Sequence, residues 1–203
     1  NKAWSAAADG IEREHGEKVE LVRGVEACLE AFPSLDAVIA NRVDASSYGA
    51  ARSLKAVFVP FVGANHLPAD LLIERGVAVF NCHGNAESVA QHALSLALAG
   101  FGRLIEFHND LRAETWHGFW VDKGSEDFWH SIYRKRCAIL GAGAIGQKLA
   151  RLLKAFDCTV IGYRRRPGEP MPECFDEVQG DLKAAVTGAE IVFVTLPLTD
   201  ATR

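Results

Sequence analysis

No long apolar run occurs in the sequence. Its most helix-like apolar segment, VAQHALSLALAGFG, is interrupted by Gln91, His92 and Ser95 and falls short of the roughly 20 residues that a membrane span needs. Excess positive charge is missing too. Twenty-two Lys and Arg stand against 26 Asp and Glu, giving a net charge of −4 and a pI of about 6.0. No global field therefore draws the chain to nucleic acid or to a lipid surface. Cysteine is sparse: Cys28, Cys82, Cys137, Cys158 and Cys174 are odd in number and form no CxxC pair. That pattern argues against a disulfide framework and for a reduced, cytoplasmic protein. No two histidines have HxxxH or HExxH spacing, which removes the usual helical zinc signature, and no metal is expected. The N-terminal NKAWSAAADGIEREHG has neither the basic start nor the apolar centre of a secretory signal, and no initiator methionine. The expectation is a stretch from within a longer chain.

What the chain does contain is core material. Of its 203 residues, 49% are apolar, enough for one large domain or two small ones. The first eighty residues alternate two textures, with helices expected over 3–15, 24–32, 46–53 and 68–76. Short β-rich runs lie between them at 19–22, 36–41, 55–61 and 77–82. Such alternation predicts a parallel sheet covered on both faces. One long helix is expected to run from Asn85, a favourable N-cap, with Glu87 in its first turn, through Arg112. Apolar residues cover most of its sides, so it is expected to be buried between two bodies. Residues 113–135 carry Trp116, Phe119, Trp120, Phe128, Trp129 and Tyr133 without periodicity. They pack either onto their own domain or as an arm on another subunit.

A second α/β body follows: strand 136–141, helix 144–156, strand 158–163, helix 180–189 and strand 190–197. This βαβαβ pattern is a mononucleotide-binding half of a doubly wound sheet. Between its first strand and helix lies GAGAIG, in which Gly141, Gly143 and Gly146 fit GxGxxG and Ala144 and Ile145 open the helix. The first glycine permits a tight turn, the second lets backbone approach a pyrophosphate, and the third lets helix and strand lie close. Free N–H groups at the helix start then face the diphosphate, helped by the helix dipole. No Gly-Lys-Ser/Thr follows, so a Walker loop is excluded.

The second strand ends at Tyr163 and is followed by Arg164, Arg165 and Arg166. An NAD-binding fold usually places an acid there to hold both adenosine ribose hydroxyls. An arginine reverses that preference, because its planar donor fork suits a 2′-phosphate. NADP is therefore the expected cofactor, NAD the alternative, with Arg164 as the main contact and Arg165 or Arg166 assisting. A solvated basic turn before Pro167 is the competing reading.

These elements together resemble the D-isomer-specific 2-hydroxyacid dehydrogenase family. The resemblance rests on VGANHLPADLLIERGVAVFNCHGNAESVAQHAL from Val62, RLIEFHNDLRAETW from Arg103, ILGAGAIGQKLARLLKAF from Ile139 and VFVTLPLTDATR from Val192. It implies an α/β fold of two doubly wound domains. Residues 1–84 would be an incomplete flavodoxin-like substrate domain, and 85–203 a partial Rossmann NAD(P)-binding domain with its connecting helix. It implies hydride transfer between a nicotinamide and a small 2-keto or 2-hydroxy acid, in a homodimer of the glyoxylate/hydroxypyruvate reductase type. Val62, Gly63 and Ala64 resemble the loop whose N–H groups receive the substrate carboxylate; an ordinary strand-to-helix turn is the plainer reading. Leu196 and Pro197 resemble the segment along the adenosine side, Thr202 the threonine near the phosphates, and Val89 a residue facing the nicotinamide. Gln91 stands where many members have Glu. The family's catalytic arginine, acid and histidine are expected beyond Arg203, so no catalytic residue is assigned. His66, His83, His92, His108 and His117 belong to no such motif. The family also includes corepressor-like proteins, so an NAD(P)-sensing scaffold without turnover remains the alternative function, with formate or phosphonate oxidation a third. With three strands counted in this body, the fourth of the 3-2-1-4-5-6 order is expected to be absent, leaving strand 136–141 at a sheet edge.

Overall fold

A computed structural model describes residues 2–16, 18–39, 43–117, 128–166 and 170–203. The chain divides into two compact units, Asn1–Cys82 and His83–Arg203. Both are α/β with parallel sheets.

In the first unit, β1 (Ala37–Ile39), β2 (Ala56–Val59) and β3 (Ala78–Asn81) form a parallel sheet in sequential order. Its helical elements are α1 (Lys2–His15), α2 (Val25–Ala31), a 3-10 turn over Phe32–Ser34, α3 (Ala45–Ala50) and α4 (Ala69–Glu74). The core gathers Phe32, Tyr48, Leu54, Val57, Val59, Leu67 and Leu72. Val57 and Val59 alternate with outward-facing Phe58 along β2, the period-2 signature of a strand buried on one side.

Two expectations are corrected here. The sheet is not covered on both faces: Ile39, Phe58 and Phe80 are aligned across the three strands and all remain exposed. Nor is there a strand at 19–22. Glu20, Leu21, Val22 and Arg23 line a cavity of about 300 Å³ together with Ala37, Val38 and Ile39 of β1. The segment belongs to no sheet ladder, and a segment without a ladder partner is not a strand.

In the second unit, α5 (Ala86–Phe101) and α6 (Leu104–Arg112) precede β4 (Arg136–Leu140), α7 (Ala144–Lys154), β5 (Thr159–Tyr163), β6 (Glu177–Gln179), α8 (Leu182–Val186) and β7 (Ile191–Val194). The sheet order is β6-β5-β4-β7, parallel throughout. The strand at 136–141 is therefore interior, not an edge. The short polar β6 is the third strand, and β7 is the fourth, pairing Cys137 with Ile191 and Leu140 with Val194. Only three residues long and lacking an apolar run, β6 gives no periodic signal; β5 defines it by pairing with it. From Cys137 to Leu140, β4 is buried continuously, as a central strand covered on both faces must be.

The core joins Cys137, Ile139, Leu149, Ala150, Leu153, Val160 and Phe193, with Ala93, Leu94, Ala97 and Leu98 of α5 packed against it. The single long helix expected from Asn85 is broken into two. Arg103 takes left-handed φ, +50°, and a Cβ on Gly102 would lie 2.7 Å from Leu98 O. A residue in this left-handed conformation ends a helix by turning its N–H groups back on the last carbonyls. Only Ala86 and Ala90 of α5 are buried, whereas Leu96 is 62% exposed, so the helix buries one face rather than all its sides. Among the described aromatics of residues 113–135, Trp116, Phe128, Trp129 and Tyr133 are all exposed, so these four do not pack into their own domain; Phe119 and Trp120 lie outside the described residues.

Candidate functional site

Strand β4 runs into Gly141 at φ +116°, a conformation that favours glycine. The N–H groups of Gly141 and Ala142 both donate to the carbonyl of Tyr163, at 3.0 and 3.1 Å, stitching the turn to the end of β5. Gly143 is the extended N-cap of the eleven-residue α7. The three glycines are needed for different reasons. A Cβ on Gly141 would stand 2.8 Å from Thr195 Oγ1, and one on Gly146 would overlap the Gly141 carbonyl oxygen. A Cβ on Gly143 would meet nothing within 4 Å. The first and third therefore close the turn against the sheet, while the second opens toward free space. The first N–H groups of a helix have no intrahelical partners, and those of α7 begin beside this opening. The cradle fits a diphosphate: amide donors, a helix dipole of the right sign and no side chain over Gly143. Ala144 and Ile145 are the first two helical residues and are half-buried.

Two side chains not singled out by sequence also touch this turn. Thr195, at the end of β7, donates its hydroxyl toward Gly141 O at 2.9 Å and Leu140 O at 3.3 Å. Gln147 Nε2 donates to Ala142 O at 3.2 Å. Neither belongs to a spacing pattern; only the meeting of β7 with the turn reveals them.

Around the same end of the sheet, Tyr163 and Leu196 pack on the small cluster of Leu140, Ile161 and Ala185. Arg164 is half-buried: its N–H donates to Gln179 O at 3.1 Å and its Nη2 to Pro170 O at 3.1 Å. Arg165 and Arg166 are exposed, and residues 167–169, including Pro167, lie outside the described residues. The neighbour of Tyr163 on β6 is Gln179, which carries no charge. Pro197 and Thr202 share one turn, the Thr202 hydroxyl donating to Pro197 O at 2.6 Å and accepting from Thr199 N at 2.9 Å. On α5, Val89 is 38% exposed. An ion pair of 2.8 Å between Glu87 and Lys148 ties that end of α5 to α7.

In the first unit, Val62, Gly63 and Ala64 follow β2 in an irregular loop. Asn81 Nδ2 donates to Val62 O at 2.9 Å, and Leu67 N to Ala64 O at 3.1 Å. Both carbonyls are thus turned toward the protein. His66 lies against the Phe61 ring. His117 is stacked on Phe107 with centroids 4.6 Å apart, its Nε2 2.7 Å from Asp110 Oδ2. No group of three metal-ligating side chains occurs among the described residues, and no described helix is long and apolar enough to cross a membrane. Two titratable groups of the second unit are shifted by their surroundings. Burial would raise Asp176, but hydrogen bonds from Lys154 Nζ at 2.8 Å and Val160 N at 2.7 Å outweigh it and hold the carboxyl below its usual range. Burial, followed by the adjacent Cys158, pushes the Cys137 thiol up to about 12.

A family model described as "D-isomer specific 2-hydroxyacid dehydrogenase, NAD binding domain" matches residues 94–203, more than half of the chain. The chain belongs to this family. As a 2-hydroxyacid dehydrogenase family member, it is 36% identical over 157 residues to D-3-phosphoglycerate dehydrogenase of Mycobacterium leprae, covering 73% of this chain and 28% of that protein. It is 31% identical over 186 residues to glyoxylate/hydroxypyruvate reductase B of Pectobacterium atrosepticum, covering 86% of this chain and 57% of that protein. The chain thus spans between about a quarter and three-fifths of these curated relatives. Its fold is shared with the NAD-dependent formate dehydrogenase of Staphylococcus aureus in complex with NAD, at TM-score 0.74 and 24% identity over all of this chain and 60% of that one.

Proposed function

We propose that this chain belongs to an NADPH-preferring reductase of small 2-keto acids, with glyoxylate and hydroxypyruvate, named for one of its relatives, as the first substrates to test. The observation that carries the proposal is the juxtaposition of an open glycine cradle at Gly143 with an arginine run directly after β5. Gly141, Gly143 and Gly146, with the N–H groups of Ala144 and Ile145, would hold the diphosphate. Tyr163, Leu196 and Pro197 would flank the adenosine, Thr202 would stand near the phosphates, and Val89 would face the nicotinamide. Arg164, Arg165 and Arg166 would select the 2′-phosphate. In this arrangement Arg165 and Arg166 are exposed, while Arg164 is half-buried and bonded to Pro170 O.

When bound, reduced nicotinamide supplies the hydride that reduces C2 of the keto acid. The chain's own residues bind and orient. With the Val62 and Ala64 carbonyls engaged by Asn81 and Leu67, the N–H side of the Val62–Gly63–Ala64 loop is left for the substrate carboxylate, the kind of concave amide site that takes small anions. No proton-transfer role is assigned to His66, His83, His92, His108 or His117. The working protein is proposed to be a cytoplasmic homodimer, supported by the exposed apolar side chains Leu96, Leu104, Ile105, Trp116 and Trp129 on the second unit.

Steady-state assays of the full-length protein with glyoxylate and hydroxypyruvate, using NADPH and NADH in parallel, test the reading. A kcat/KM at least about tenfold higher with NADPH is expected from one charge-assisted contact to the extra phosphate. Equal values for the two cofactors would remove the selectivity claim, and absence of turnover with any 2-keto acid would remove the reductase claim.

A further inference from the structure

The structure assigns Thr195 as a positioning residue that locks the peptide planes of the diphosphate turn. This rests on the reading of the turn as a dinucleotide site and deepens it. A glycine at φ +116° can rotate its following peptide cheaply. If the Gly141–Ala142 peptide flipped, a carbonyl oxygen would move and the amides of the turn would lose their common orientation, to the detriment of any bound anion. Several contacts oppose this, beginning with the Ala142 N–H of the same peptide, which donates to Tyr163 O at 3.1 Å. Thr195 Oγ1 donates to Gly141 O at 2.9 Å. Thr195 N donates to Leu140 O at 2.8 Å, which seats the residue against the end of β4 and aims its hydroxyl at the turn. Gln147 Nε2 holds the next carbonyl, Ala142 O, at 3.2 Å. The Gly141 oxygen itself fills the space left by the missing side chain of Gly146. Carbonyls along the turn are thereby all engaged on the protein side, and the amide donors from Gly143 onward keep the open side.

Only the hydroxyl of Thr195 can be removed without changing side-chain shape, since valine is nearly isosteric. Thr195 does not need to touch a ligand to act. Its effect is on the readiness of the turn to receive a diphosphate, and so is specific to ligands that carry one. The half-buried Thr195 and the strand that bears it remain otherwise as they are.

The test is calorimetric binding of ADP-ribose, and competition binding of adenosine, to the full-length protein and to its Thr195→Val and Thr195→Ser variants. Thr195→Val is expected to weaken ADP-ribose about tenfold, the value of one neutral hydrogen bond, and to leave adenosine unchanged. Thr195→Ser, which keeps the donor, is expected to restore ADP-ribose binding to within about threefold of the parent. Amide hydrogen exchange at Gly141 and Ala142, whose N–H groups are held by Tyr163 O, is expected to quicken in Thr195→Val alone. Equal loss of ADP-ribose and adenosine would overturn the proposal, because general damage to the domain would produce it. An unchanged ADP-ribose affinity in Thr195→Val would overturn it while leaving the dinucleotide reading intact. Failure of the parent protein to bind ADP-ribose would overturn both.

Discussion

The carbonyl oxygen of Gly141 occupies the space in which a side chain on Gly146 would begin. The helix α7 and the strand β4 can lie this close only because nothing intervenes. A methyl group there also presses on Ile139 Cγ2, 3.2 Å away. Gly146→Ala is therefore expected to cost about 1–3 kcal/mol, as overpacked cores do, and to weaken NADPH binding by moving the first turn of α7. Thermal melting and cofactor titration measure the two effects. A variant with parental Tm and affinity would show that helix and strand separate freely.

The arginines after β5 are expected to set cofactor preference. Arg165→Asp adds a charge that repels a 2′-phosphate and removes a donor, at a position exposed to solvent. The NADPH-to-NADH ratio of kcat/KM should fall about ten- to hundredfold, corresponding to about 1.5–3 kcal/mol for a charge-assisted hydrogen bond. Arg164→Asp should lower it as well, and it also removes the hydrogen bond from Nη2 to Pro170 O. Ratios unchanged in both variants would make the run a solvated turn.

Asp176 carries a pH signature. Its carboxyl is lowered from the usual 3.8 against the opposing effect of burial, by Lys154 and the Val160 N–H. A group depressed in the folded state stabilises it at pH above the unfolded value, and the contribution vanishes as pH falls through the folded value. Asp176→Asn should therefore be less stable than the parent near neutrality, and the gap should close as pH falls through the folded-state value of Asp176. Urea midpoints at several pH values measure it. A gap that stayed constant into acid would show that the charge contributes nothing.

The cysteines should separate sharply by reactivity. Thiolate is the nucleophile, and Cys137 is both buried and pushed up to about 12. A disulfide reagent at about pH 8 should modify exposed Cys82 at once, leaving Cys137 and Cys158 untouched until the protein unfolds. Early modification of Cys137 would mean that β4 opens far more readily than a central strand should.

The glycine turn was legible because its chemistry is local. Positive φ at Gly141, closeness at Gly146 and openness at Gly143 follow from residues within six positions of one another. The strands at 136–140, 159–163 and 191–194 were legible for the same reason, each being a short apolar run. Strand β6 was not, because Glu177–Gln179 has no apolar run and is a strand only where β5 pairs with it. Missing that one element misplaced β4 at an edge. The break at Gly102–Arg103 was equally hidden, since the sequence on both sides continues to read as helix.

Sequence alone therefore determined the α/β class, the glycine turn and the family, all of which depend on short-range patterns of glycine and apolar residues. Tertiary structure decided which strand is central, which side chains hold the turn and which aromatics face solvent. Thr195 lies 54 residues from the carbonyl it holds. A contact made across that distance is fixed by sheet order and packing, which no local pattern encodes.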